Sequence, residues 1–186
     1  MRVRVFIALL ILLPSFARAA PPGPTPRPSE EDKLFAELKQ ADSPEAAKPL
    51  EEKIGGMFRA SGSASVDLLM SRVGAALGQA DNGTARTLVE AITHAAPNYA
   101  EGWRMRAHMQ RASNDDAGAM ISLQKTVTLN PRHFIAMAEL GGMLEDYGDK
   151  QAALRLYRRV LTLDPQMREA AERAKALTKE VEGQGI

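Results

Sequence analysis

The chain holds three histidines, His94, His108 and His133, and no cysteine. Without thiolates there is no thiol nucleophile, no disulfide and no sulfur-ligated metal. No two histidines sit where they would share a helical face, and no HExxH pattern occurs, so no metal is assigned. Nucleophile elbows, Walker loops and dinucleotide glycine fingerprints are missing as well, which leaves no catalytic residue and no cofactor to name. Two places remain. Leu129–Phe134, "LNPRHF", sets Asn130, Arg132 and His133 around Pro131, and is either a site or a joint, depending on whether its grammar recurs. Arg104 and Arg111 lie seven residues apart with His108 between them, a spacing that puts all three on one face of a helix. Such an arginine pair can grip a carboxylate or an acidic peptide through bidentate hydrogen bonds. It can equally pair with Asp67, Glu101 or Glu145. A catalytic set of Glu101, His108 and Glu145 would need a geometry that spacing alone does not supply.

The elements that must position these groups are helical. The segment "NDDAG", Asn114–Gly118, lacks the alternating oxygen ligands and distal Glu of a calcium loop and reads as a turn between helices. Ser29-Glu30-Glu31-Asp32 resembles a capping box, and residues 30–60 form a helical hairpin around the "ADSP" turn, with Pro49 kinking the second helix or delaying its start. Beyond "SGSAS" a fixed period appears. Pro97, Pro131 and Pro165 are spaced by 34 residues, as are Ala85, Ala119 and Ala153, and Asp81, Asp115 and Asp149. A last apolar series, Met167, Ala170, Ala171, Ala174, Leu177 and Val181, describes a cap helix over about 166–182, stopped at Gly183.

These ladders resemble the tetratricopeptide (TPR) repeat, a helix-turn-helix unit of 34 residues. Units 66–99, 100–133 and 134–167 put Leu69, Trp103 and Met137 at the fourth position, Val73, Ala107 and Gly141 at the eighth, and Val89, Leu123 and Tyr157 at the twenty-fourth. The resemblance implies an all-α fold, a short right-handed superhelix of antiparallel helix pairs over 66–182, with the 30–60 hairpin as a degenerate extra repeat. The third unit fits best and the first is weakest, with Arg72 and Ala76 where larger apolar residues are usual; Ile92 and Val127 replace small residues near the ends of the second helices. Trp103 is expected as a core wedge, and Pro131 makes "LNPRHF" a joint whose Arg132 and His133 meet free amides at a helix start.

The resemblance also implies a concave groove lined by the first helices. It would be offered by Asp67, Met70 and Leu77, then Glu101, Arg104, His108 and Arg111, then Ile135, Ala138 and Glu145. The carboxylate-clamp version of the repeat does not fit, since Met70, Gly74, Met105, Ile135 and Glu139 occupy its positions. The partner implied is an envelope protein or peptide. On this reading Arg104→Glu with Arg111→Glu removes partner capture and leaves thermal stability alone. The alternative is a structural or self-assembling component that uses its terminal helices, and a remote one is an accessory to a polymer-processing enzyme.

Composition and address complete the picture. A formal charge of +1 and 5% aromatic residues give no basic or stacking surface for nucleic acid. Residues 1–19 read as a signal peptide: Arg2 and Arg4, an apolar run from Val5 to Leu13 well short of the roughly 20 residues of a membrane span, and Ala17-Arg18-Ala19 before the cut. Cleavage takes the charge from +1 to −2 by removing Arg2, Arg4 and Arg18, and leaves no stable span. Residues 20–29, with five prolines between Pro21 and Pro28, form an extended tether. The protein is expected to be exported, and periplasmic in a double-membrane bacterium.

Overall fold

The computed structural model describes residues 29–183; the expected signal peptide and the tether up to residue 28 lie outside the described residues. Those residues form nine helices and no strand: α1 (Glu30–Gln40), α2 (Pro44–Arg59), α3 (Ala64–Gly78), α4 (Asn82–Ala95), α5 (Ala100–Ala112), α6 (Asp116–Leu129), α7 (Phe134–Asp146), α8 (Lys150–Leu163) and α9 (Arg168–Val181). Helices α3 and α4, α5 and α6, and α7 and α8 pack as pairs, each pair rests on the next, and α9 closes on α8.

The aspartate ladder sets the turn inside each pair. Asp81, Asp115 and Asp149 are the N-caps of α4, α6 and α8, accepting hydrogen bonds from the amides of Thr84, Gly118 and Ala152 at 2.9–3.0 Å. The residue before each of them, Ala80, Asn114 and Gly148, has positive φ: 58°, 60° and 85°. Each aspartate amide then reaches back to the carbonyl five residues earlier, on Ala76, Gln110 and Leu144. This 6→1 bond closes the preceding helix. The proline ladder sets the joint between pairs: second helices end at Ala95, Leu129 and Leu163, two residues before Pro97, Pro131 and Pro165.

The alanine ladder is buried, with Ala85, Ala119 and Ala153 all at 0% exposure. Facing small and large residues fit each other. A Cβ on Gly141 would stand 3.1 Å from the Tyr157 ring, a tight approach that glycine avoids. Ile92, which takes the place of a small residue, is accommodated in the same way: a Cβ on Gly102 would lie 3.0 Å from its Cγ2. Trp103 departs from expectation. It is partly exposed and belongs to neither buried cluster; its indole Nε1 donates to the Pro97 carbonyl at 2.9 Å while Arg106 covers the ring.

Pro49 neither delays nor ends α2, which runs unbroken from Pro44 at its first turn. Pro49 faces solvent, where water can meet the Glu45 carbonyl that it leaves without a donor. The Ser29 capping box forms, with Asp32 N donating to Ser29 Oγ and Ser29 N to Asp32 Oδ2, both at 3.1 Å.

The α1–α2 hairpin is not an extra repeat in line with the array. Its principal contacts outside itself are with α8 and α5, and it lies along the edge formed by the three joints. At the first joint Tyr99 Oη donates to the Arg59 carbonyl at 2.6 Å. At the second, Phe58 stacks on His133 at 4.3 Å, Phe35 meets Phe134 edge-on, and Arg132 lies 3.9 Å over the Phe35 ring while its Nη1 donates to Asp32 at 2.7 Å. At the third, Gln166 Nε2 donates to the Ala41 carbonyl at 2.9 Å, and the Glu51 carboxyl abuts Asp164. Phe35 and Phe58 are 3% and 9% exposed, and burying each ring contributes about 1.5–3 kcal/mol.

Candidate functional site

Because the hairpin occupies the joint edge, the face formed by α5, α7 and α9 stays open. Two clefts adjoin there, of about 410 Å³ and about 340 Å³, and share Arg111 and Glu139 as walls. A larger cleft of about 640 Å³ lies between the end of α2 and the first joint, but its walls carry a single charged side chain, Glu31. The chemistry is therefore concentrated on the α5–α7–α9 side.

Helix α5 presents Glu101, Arg104, His108 and Arg111 at three- and four-residue steps, and α7 answers with Glu139. Arg104 makes a fork to Glu101 through Nε and Nη2, both at 2.8 Å, and a third bond from Nη1 to Glu139 Oε1 at 2.7 Å. His108 Nε2 approaches the same Glu139 oxygen at 3.0 Å. Behind them His133, fully buried, accepts the Ala136 amide at Nδ1, which assigns its ring proton to Nε2 and directs it at Glu101 Oε2, 3.1 Å away. Burial pushes Glu101 up, yet the hydrogen bonds from Arg104 and His133 outweigh it and hold the carboxyl at about 2. Burial acts on Arg104 in the deprotonating direction and is overcome by Glu101 and Glu139, so the guanidinium stays charged. Glu139 is likewise held below its ordinary value, burial being outweighed by His108 and Arg104. One oxygen remains unanswered: Glu139 Oε2 is sealed from solvent with no hydrogen-bond partner among the described residues.

The groove residues named from the sequence thus divide. Glu101 is 4% exposed and Arg104 is 16% exposed with its donors committed, so both belong to the wall rather than to its surface. Arg104→Glu would place a third carboxylate between two others, so the double reversal with Arg111 cannot leave stability unchanged. Arg111 is exposed, has no ion pair among the described residues, and stands at the rim of both clefts. Ile135 and Ala138 line the larger of the two. Glu145 is taken by Tyr157 Oη at 3.3 Å and Arg173 at 3.4 Å. Asp67 turns away and accepts the Ser61 amide and hydroxyl at 2.9 and 2.6 Å, while Met70 and Leu77 pack on the first repeat's own core. Glu101, His108 and Glu145 make no hydrogen bond to one another: Glu101 holds Arg104 and His133, His108 meets Arg104 and Glu139, and Glu145 meets Tyr157 and Arg173. Glu139, Glu169 and Arg173 were not singled out as site residues. Glu139 falls one repeat and one residue after Arg104, a spacing that would have marked it as a partner across facing first helices.

No family model matches the chain. It is 28% identical over 152 residues to a TPR repeat-containing protein of Rhizobium etli, covering 82% of this chain and 74% of that one. Solved structures share the fold at lower identity. The first TPR of Spaghetti (RPAP3), bound to the HSP90 peptide SRMEEVD, superposes with a TM-score of 0.57 at 20% identity, over 63% of this chain and 93% of that chain. The Sgt2 TPR domain of Aspergillus fumigatus matches at 0.57 and 18% identity, over 66% and 82%. MamA also matches at 0.57, at 17% identity over 86% of both chains. Three ladders at one period, their caps and turns in equivalent places, and these likenesses together show the tetratricopeptide-repeat fold in this chain.

Proposed function

We propose that the chain is an exported binding module of the cell envelope that receives an extended peptide or a single helix of a partner protein along the α5–α7–α9 trough. The observation that carries this reading is the placement of the hairpin: it covers the joint edge and leaves a cleft of about 410 Å³ open on the face where first helices converge. The peptide held by the Spaghetti repeats supports a peptide as ligand, and the pattern of residues 1–19 supports export. Binding is favoured over catalysis because His108 and His133 are each engaged with a carboxylate, Glu139 and Glu101, that Arg104 also holds, so neither histidine faces the cleft as half of a free acid–base pair.

The test is a photo-crosslinking amino acid placed in the cell at position 138, in the trough, or at position 124, on an exposed face of α6. Adducts with a discrete partner are expected from position 138 alone. Equal yields from both positions, or adducts only from 124, would sink the reading. Fractionation of the same cells decides the address: recovery of the protein in the cytoplasm would overturn export.

A further inference from the structure

This inference rests on the trough reading above and specifies its ligand: we propose that the α5–α7–α9 trough selects a basic peptide segment, seating a lysine or arginine side chain against Glu139. Four carboxylates line the cleft of about 410 Å³, Glu139, Glu145, Asp146 and Glu169, against two guanidinium groups, Arg111 and Arg173. Arg173 already faces Glu145. Arg104, the side chain that would otherwise make this face cationic, is neutralised inside the wall. Asp146 and Glu169 are exposed and have no ion pair among the described residues.

The position of Glu139 gives the charge a focus. Its Oε1 takes both Arg104 and His108, and its Oε2 is buried without a donor. A carboxylate oxygen withdrawn from water and given no partner is costly, and a charged N–H donor is the strongest remedy. Glutamate's last torsion is soft, so a turn of the carboxylate that loosens its contact with the exposed His108 presents Oε2 to the cleft whose wall Glu139 forms. The side chain is held from behind by the chain His133–Glu101–Arg104, so little ordering is needed when a cation arrives. The stem of a lysine or arginine would lie on Ile135, Ala138 and Met143, which line the same cleft. Arg111, at the rim, is placed to donate to a peptide carbonyl.

The experiment uses the purified chain and sets of fluorescein-labelled decapeptides, alike in composition, with one position fixed as Lys, Arg, Gln, Asp or Glu. Retention of the Lys and Arg sets at least about tenfold over the Gln set is expected. Glu139→Gln should abolish that preference. Glu169→Lys should weaken it while leaving the unfolding temperature unchanged, since Glu169 is exposed and unpaired; this variant keeps the test valid if Glu139→Gln folds poorly. Preference for the Asp or Glu sets, or a basic preference that survives both substitutions, overturns the proposal. Peptides retained without regard to charge would overturn the basic selectivity and leave the trough as the binding site. If no set is retained, both this inference and the trough reading fall.

Discussion

In the third repeat, Gly141 gives way to Tyr157, Phe134, Met137, Leu140 and Met143 are buried, and the pair α7–α8 is enclosed by α6, α9 and the hairpin's α1. In the first repeat, Val73 and Val89 take the equivalent places, α3 buries only Val66, Val73 and Ala76, and its principal neighbour among the described helices is α4. The buried side chains fall into two clusters accordingly. One runs continuously through the hairpin, the second and third repeats and α9; the other is confined to α3 and α4 with Tyr99 and Met109. The same ladders of Asp, Ala and Pro run through both repeats. A repeat motif therefore fixes where helices begin and cross, while the strength of each unit depends on what encloses it.

The junction between the second and third repeats is the place to break this contrast. Glu101→Ala strips His133 of its acceptor and Arg104 of the two bonds of its fork, leaving Arg104 only Glu139; breaking a buried pair costs up to about 3–5 kcal/mol, and the remaining Glu139 contact puts this variant toward the lower end. Urea unfolding should show that loss, and an unchanged midpoint would mean that the junction is held by apolar contacts alone. Next in size, Gly141→Val crowds the Tyr157 ring and should cost about 1–3 kcal/mol. Adding Tyr157→Val, which gives the third repeat the first repeat's pair, should recover part of the loss, and additive losses in the double-mutant cycle would argue against complementary fit.

The third joint alone carries an acid pair. Burial and the neighbouring Asp164 push Glu51 up to about 7, with Glu52 adding to the rise and Lys48 opposing it; Asp164 is raised by burial. The folded form thus holds this proton more tightly than the unfolded chain does. Its stabilising effect is complete below the ordinary glutamate range and is lost as pH rises through about 7. Urea midpoints measured from about pH 5 to about pH 8 should fall more for the parent than for Glu51→Gln, which keeps a donor at every pH. Parallel profiles would remove Glu51 from the account. The smallest expected effect concerns the turns. Ala80 occupies a left-handed position that Gly148 fills without strain, so Ala80→Gly should stabilise the first repeat by about 1 kcal/mol, and Gly148→Ala should cost the third about as much. Thermal unfolding of the two variants checks the pair.

The periodic part of the fold was legible because ladders record local rules: Asp caps a helix, Pro ends one, and Ala marks a crossing. The hairpin's docking was not, since Phe58 on His133 or Gln166 on Ala41 joins distant segments that leave no period in the sequence. Arg104 was legible as a groove cation and as half of an ion pair, and only the fork to Glu101 with the third bond to Glu139 decides between them. His133 was rightly placed at a helix start, but its burial depends on Phe58, whose partner could not be read from spacing.

Repeat arrays ordinarily assemble from neighbours outward, each unit needing only the one beside it. Here the segment between Glu30 and Arg59 finds its last anchor in the Gln166–Ala41 bond, 125 residues further on. While the chain is being made, that amphipathic hairpin emerges long before the joints that receive it exist: its phenylalanines stay uncovered until the second joint is made, and its Ala41 carbonyl until the third. Closure of the first segment on the last is the step that turns a string of locally stable units into one cooperative body, and it makes the earliest-made helices the last to find their place.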